Sequence, residues 1–229
     1  MTFGFSGMFD DKQATLNLNF FTACRLGNLE EAKQLLADGA EIDNEKTDQT
    51  PLFAATTSNR REVSLWLLAN GADANCHNQQ GWSGLHHAVQ TGDVELTAAY
   101  LAASALVTRQ SRKGETPLIV ACQQGNEEIA RLLLARGANV KAMDKQRNTS
   151  LHYAAANGEM ALCEALLERG AVITVANDEG KTCVDVATED VAALLERHAI
   201  TEVIHEAAPQ TKSEDAPAAA PPQRKIMKA

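Results

Sequence analysis

A short phrase returns along this chain at one fixed interval. It reads Thr50-Pro51-Leu52-Phe53, Ser83-Gly84-Leu85-His86, Thr116-Pro117-Leu118-Ile119, Thr149-Ser150-Leu151-His152 and Thr182-Cys183-Val184-Asp185. The starts fall at 50, 83, 116, 149 and 182, so every step is 33 residues. A period of this length, without slippage, marks a stack of supersecondary units in which each unit packs only on its neighbours. Such stacks usually bind other molecules, so the repeat points away from catalysis.

The core must be aliphatic. Hydrophobic residues make up 45% of the 229 positions but aromatics only 4%, which leaves Leu, Ala, Val and Ile to fill the space between short helices. The formal charge is −9, the opposite of the basic surplus that nucleic-acid binding usually requires. Cys24, Cys76, Cys122, Cys163 and Cys183 are odd in number and form no CxxC pair. Cys24 and Cys122 occupy one column of the repeat, alongside Thr56, Val89, Ala155 and Thr188, and read as small packing residues in a reducing compartment. The start of the chain has no signal-peptide pattern, and no apolar run approaches the ~20 residues that span a bilayer. The expectation is a soluble cytoplasmic protein with no membrane insertion.

Residues 116–148 show how one unit works. Thr116 is a good N-cap and Pro117 is tolerated at the first helical position, so a helix is expected from there to about Gln124. Gly125 ends it. A second helix follows from about Asn126, with Ile129, Leu132 and Leu133 on one face at i, i+3, i+4 spacing. Gly137-Ala138 closes that helix, and about ten residues then project as a finger before the next unit.

This pattern resembles the ankyrin repeat. The likeness is carried by the Thr-Pro-Leu-His slot, the Ala that follows (Ala23, Ala55, Ala88, Ala121, Ala154, Ala187), the mid-unit Gly, the Leu-Leu pair and the Gly-Ala pair (Gly39-Ala40, Gly71-Ala72, Gly137-Ala138, Gly170-Ala171). It covers roughly residues 18–198 and implies an all-α ankyrin-repeat solenoid of stacked helix-turn-helix units with β-hairpin-like fingers. Six units are expected, near 16–48, 49–81, 82–114, 115–147, 148–180 and 181–200, the first and last being caps. Residues 1–15 then form an aromatic arm bearing Phe3, Phe5 and Phe9, read either as a cover for the first unit or as a docking peptide. Residues 206–229 form an Ala/Pro-rich tail, a composition that favours disorder. Three residues depart from the pattern: Asn59 replaces the mid-unit Gly and can also adopt the left-handed conformation, Ser104 replaces the Gly of Gly-Ala and makes that turn doubtful, and Arg147 replaces the finger-tip Gly found at 81, 114 and 180. The first finger, one residue short, is expected to be tighter.

In the resembling family, partners usually meet the finger tips and the exposed ends of the first helices. Those positions vary here while the structural columns do not. The candidate partner-binding residues are Gln79, Gln80, Trp82, Arg112, Lys113, Lys145 and Arg147 on the fingers, with Gln90, Gln123, Gln124 and Asn157 at the helix ends. Trp82 sits where the repeat needs no apolar group; it either anchors a partner or folds back on its own finger and helix. Arg109, Arg112, Lys113, Lys141, Lys145 and Arg147 gather on two adjacent fingers, whereas the first finger carries Glu41, Asp43, Glu45 and Asp48. That polarity suits a partner with an acidic segment, unless these charges are merely solvated.

His86 and His152 fill the His slot, which the resemblance assigns to a hydrogen bond at the finger–helix junction. Trp66, among Leu65, Leu67 and Leu68, reads as packing. Cys76-His77 with His86-His87 matches no zinc spacing. No phosphate-loop, dinucleotide or hydrolase motif occurs; Gly81-Trp82-Ser83-Gly84 resembles a nucleophile elbow, but the period makes Ser83 an N-cap. No catalytic residue, metal or cofactor is expected. The leading reading is a non-enzymatic protein-interaction module (adaptor, assembly subunit or inhibitor), monomeric or part of a hetero-complex. The alternatives are a secreted bacterial effector acting on host proteins and, further off, a small-molecule regulator.

Overall fold

The computed structural model describes residues 6–44 and 49–207, with side chains over 12–44 and 49–200. Phe3 and Phe5 of the arm, residues 45–48 of the first finger and the tail beyond Ala207 lie outside these residues, as does the side chain of Phe9.

Twelve helices occur among the described residues, in six pairs: α1 (Ser6–Leu26) with α2 (Leu29–Ala37), α3 (Pro51–Thr57) with α4 (Arg61–Ala69), α5 (Gly84–Gln90) with α6 (Val94–Ala102), α7 (Pro117–Gln123) with α8 (Glu127–Ala135), α9 (Ser150–Ala156) with α10 (Met160–Glu168), and α11 (Cys183–Val186) with α12 (Glu189–Ala207). Odd-numbered first helices pack on one another in chain order, and from α4 onward so do the even-numbered second helices. The result is a two-layered solenoid.

Local chemistry sets the unit. The side chains of Thr50, Ser83 and Thr116 accept hydrogen bonds from the N–H groups of Phe53, His86 and Ile119, which satisfies a free donor at each helix start. The Ala column then receives the chain as it turns: the N–H groups of Asn28, Arg60, Asp93, Asn126 and Glu159 donate to the carbonyls of Ala23, Ala55, Ala88, Ala121 and Ala154. These closures need a left-handed residue between the two partners. Second helices end the same way, through bonds such as Ala105 N–H to Tyr100 C=O and Ala138 N–H to Leu133 C=O, both 3.0 Å.

Asn59, Ser104 and Arg147, three residues standing where the repeat otherwise has glycine, are also the non-glycine residues with positive φ among the described residues, at 57°, 62° and 62°. The turns therefore form despite the missing glycine, including the doubtful one at Ser104.

Leu52, Leu85, Leu118 and Leu151 are fully buried between first helices, and Leu67, Leu133 and Leu166 between second helices. Burying each such side chain stabilises the stack by about 1.5–3 kcal/mol. Cys24, Cys122, Cys163 and Cys183 are buried thiols, and all five cysteines are free. Trp66 packs edge-on against Phe20 with ring centroids 6.5 Å apart, a structural role as expected.

Helix extends beyond the expected first and last units at both ends of the stack. The first helix begins at Ser6 rather than after an arm ending near residue 15, and the last helix continues to Ala207 rather than stopping near residue 200. A stack end carries no neighbouring unit to fix helix length, so the repeat gives no signal there.

Candidate interaction surface

The fingers are built on one recurring side-chain oxygen. Asn78 Oδ1 accepts from the N–H groups of Gln80 and Trp82. Ser111 Oγ accepts from those of Lys113 and Glu115, Asp144 Oδ1 from Gln146 and Asn148, and Asn177 Oδ1 from Glu179 and Lys181. Each is a local turn in which a side chain stands in for backbone. Neighbouring fingers are then joined tip to tip: Arg112 N–H to Gln80 C=O at 2.7 Å, Lys145 N–H to Lys113 C=O at 2.8 Å, and Asp178 N–H to Gln146 C=O at 3.0 Å. The tips form a hydrogen-bonded row rather than independent loops.

Beneath the row, histidine ties finger to helix. His86 Nδ1 accepts from Ser83 N–H at 3.2 Å and lies 2.8 Å from Ser83 Oγ, while Nε2 donates to the Glu115 carbonyl at 3.1 Å. That pattern requires the neutral ring with its proton on Nε2. Burial holds the His86 pKa down at about 4, against the opposing pull of its bond to Glu115. His152 repeats the arrangement with Thr149 and the Lys181 carbonyl, and burial lowers its pKa too. Both histidines therefore occupy the junction that the resemblance assigned to them.

Trp82 folds back on its own helix without becoming fully buried. Its ring lies on His86 with centroids 4.9 Å apart and the planes tilted by 34°, and it packs against the core. It remains half-buried, and it also lines an open cavity of about 330 Å³ with Gln80, Ser111, Arg112, Lys113 and Glu115. Gln79, Gln80, Arg112, Lys113, Lys145 and Arg147 are all exposed on the same row of tips.

Electrically the row is uneven. In sequence, the finger of Arg109, Arg112 and Lys113 carries one carboxylate, Glu115, and that of Lys141, Lys145 and Arg147 carries Asp144 alone. Asp144 is buried and held by Tyr153, whose hydroxyl donates to Oδ2 at 2.5 Å. Burial, reinforced by that bond, raises the Tyr153 pKa. Arg147 turns toward the fifth finger, with Nε 3.5 Å from the Ala176 carbonyl and 4.0 Å from Asp178. Among the described residues, Arg112, Lys113 and Lys145 have no carboxylate within ion-pair distance.

The helix-end candidates divide. Gln90 and Gln123 stand one repeat apart at the ends of α5 and α7, with Gln124 beside the latter. Gln90 and Gln124 are exposed, whereas Gln123 is half-buried with Nε2 3.5 Å from Glu115 Oε1. Asn157 belongs to the stacking: its amide donates to the carbonyls of Cys122 and Gln123 at 3.0 and 3.1 Å, joining α9 to the end of α7. The sequence held no sign of this, because the bond crosses between units. Ser111 was also missed; it had a signal, the 33-residue column it shares with Asn78, Asp144 and Asn177. No group of three or more His, Cys, Asp or Glu among the described residues is placed to hold a metal ion. No described helix is long and apolar enough to cross a membrane.

Comparison with known families agrees with this architecture. A model described as "Ankyrin repeats (3 copies)" matches residues 17–78 and 61–144, and one described as "Ankyrin repeat" matches 146–178. The chain belongs to the ankyrin-repeat family. Ankyrin repeat domain-containing protein 13B of Homo sapiens is 42% identical over 64 residues, covering 27% of this chain and 10% of that protein. Arf-GAP with coiled-coil, ANK repeat and PH domain-containing protein 2 of Gallus gallus is 31% identical over 99 residues, 42% of this chain and 13% of that protein. Protein lin-12 of Caenorhabditis elegans is 32% identical over 77 residues, 33% of this chain and 5% of that protein. This chain thus spans about a tenth of the length of the first two relatives and less of the third. What they share with it is the ankyrin array, a protein-protein interaction module.

Proposed function

We propose that this ankyrin protein is a non-enzymatic adaptor, assembly subunit or inhibitor that binds a protein partner on its finger tips and first-helix ends. The supporting observation is the row itself. Hydrogen bonds between fingers hold Trp82, Arg112, Lys113 and Lys145 in fixed relation, with the aromatic half-exposed and the cations without carboxylate partners among the described residues. A surface ordered before binding loses little entropy on docking, and aromatic and Arg side chains are the usual anchors. Lys145 and its neighbours attract an acidic stretch of the partner, and the acidic first finger disfavours a continuous polyanion. Gln90 and Gln124 extend the surface along the helix ends, while Asn157 belongs to its support. The free thiols fit the reducing interior of a cell, which is where this proposal places the protein.

Affinity capture tests the proposal, using wild type and a Trp82→Ala/Arg112→Glu/Lys145→Glu variant whose helical spectrum matches wild type. The partners captured by wild type are expected to be lost from the variant. Recovery of the same partners at equal yield overturns the choice of surface.

A further inference from the structure

The cavity beside Trp82 has a more specific chemistry than the row as a whole. At about 330 Å³ it lies at the bottom of the range of ligand pockets, large enough for a side chain and too small for a protruding element of a folded domain. Two of its lining residues are joined by the hydrogen bond from Arg112 N–H to Gln80 C=O. The small polar groups of its wall are occupied within the protein. Ser111 Oγ accepts from two backbone N–H groups and donates to Glu115 Oε2 at 3.1 Å, and Glu115 Oε1 faces the Gln123 amide. What remains for a visitor is the indole of Trp82, the amide of Gln80 and the cations of Arg112 and Lys113, which form no ion pair with a described carboxylate.

We infer that this cavity takes one aromatic or long aliphatic side chain of an extended acidic peptide segment. The apolar residue packs on Trp82, and carboxylates on either side of it pair with Arg112 and Lys113. The inference rests on the interaction reading above and narrows its partner to a linear segment. Aromatic rings with cations also suit single-stranded nucleic acid. The net charge of −9 and the acidic sequence of the first finger favour a short acidic peptide over a long polyanion.

The test uses the full chain, ¹⁵N-labelled, and follows the Trp82 indole N–H resonance, assigned by its disappearance in Trp82→Phe. Three synthetic peptides are titrated: an acidic peptide with one central Phe, the same peptide with Ala in place of Phe, and a version with Lys in place of its acidic residues. The first is expected to shift the indole resonance saturably. The Ala peptide is expected to bind about tenfold more weakly or worse, and the Lys peptide not at all. Arg112→Glu/Lys113→Glu, exposed positions whose exchange leaves the fold intact, is expected to weaken the first peptide by a similar factor. Equal binding of the Phe and Ala peptides, no indole shift with any peptide, or displacement of the Phe peptide by oligo-dT overturns the inference. Failure here with Trp82-dependent capture of a folded partner removes the linear segment alone; failure of both removes the surface as well.

Discussion

Gly84 and Tyr100 share one volume. A Cβ on Gly84 would stand 2.5 Å from Tyr100 Cζ and closer still to its hydroxyl. The tyrosine is fully buried, and its hydroxyl lies 2.6 Å from Thr56 Oγ1, which in turn donates to Ser64. Elsewhere the slot of Gly84 holds Pro51, Pro117, Ser150 or Cys183, and the slot of Tyr100 holds Leu67, Leu133 or Leu166. The third unit therefore has a smaller first-helix residue and a larger second-helix one than its neighbours. Gly84→Ala is expected to destabilise the protein by about 1–3 kcal/mol through overpacking. In a Tyr100→Leu background the same change is expected to cost less, and urea unfolding of the four proteins measures the difference. A Gly84→Ala penalty that is the same in both backgrounds would show that the two residues do not compete for space.

Acid should loosen the third unit through His86. The folded protein holds this ring neutral, with its pKa down at about 4, whereas the unfolded chain releases it to an ordinary value near 6.5. Between those values the unfolded state binds more protons, so stability is complete above pH 6.5 and declines as pH falls toward 4. The loss from His86 amounts to about 2 kcal/mol by pH 5 and about 3 kcal/mol by pH 4, on the order of one histidine's full effect. Burial of the ring, which penalises its charged form, is the main cause of the shift, and a protonated Nδ1 would also lose the hydrogen bond it accepts from Ser83 N–H. Glu115 and Arg109 are the charged groups that act on the ring, in opposite directions. Unfolding measured from pH 7 to pH 5 is expected to show a shallower slope in His86→Gln than in wild type. Parallel slopes would move the acid sensitivity elsewhere.

The sequence made the unit legible wherever the cause is local. Thr116 as N-cap, Pro117 behind it and Gly125 after the helix each act within a few residues, and the helix lies between them. The substitutions at Asn59, Ser104 and Arg147 were visible for the same reason, since a repeat shows where glycine is missing. The surface was less legible. Trp82 supported two opposed readings; its position over His86 bears out the packing one, while partner contact at the neighbouring cavity is a proposal. The Asn78, Ser111, Asp144 and Asn177 column was in plain view, but its members share only an acceptor oxygen, not a residue type. Links between units, such as Asn157 to α7, left no trace because the period describes each unit alone.

Asn157 separates support from recognition. Its amide bonds two main-chain carbonyls of the preceding unit from an exposed position. Asn157→Ala is expected to cost about 1 kcal/mol of stability, within the usual net range for such bonds. Partner binding by the folded variant is expected to stay within about twofold of wild type, as for a residue outside the hot-spot set. Calorimetry of the folded variant against a captured partner checks this, and a large affinity loss at unchanged stability would return Asn157 to the contact surface.

Ser104 and Asn59 hold the same left-handed backbone with different chemistry. An ordinary L-residue loses about 1–2 kcal/mol there, partly offset by the greater flexibility that glycine gives up on folding. Ser104 is exposed, and its turn is closed by the bond from Ala105 N–H to Tyr100 C=O, which glycine would keep. Ser104→Gly is therefore expected to stabilise the protein by about 0.5–1 kcal/mol. Asn tolerates the left-handed region better, and Asn59 Oδ1 also lies 3.3 Å from His87 Nε2, a contact that glycine would remove. Asn59→Gly is expected to be neutral or slightly destabilising. Urea midpoints at constant slope distinguish the two, and a stabilisation at Asn59 equal to that at Ser104 would mean that side-chain chemistry does not set the cost of these turns.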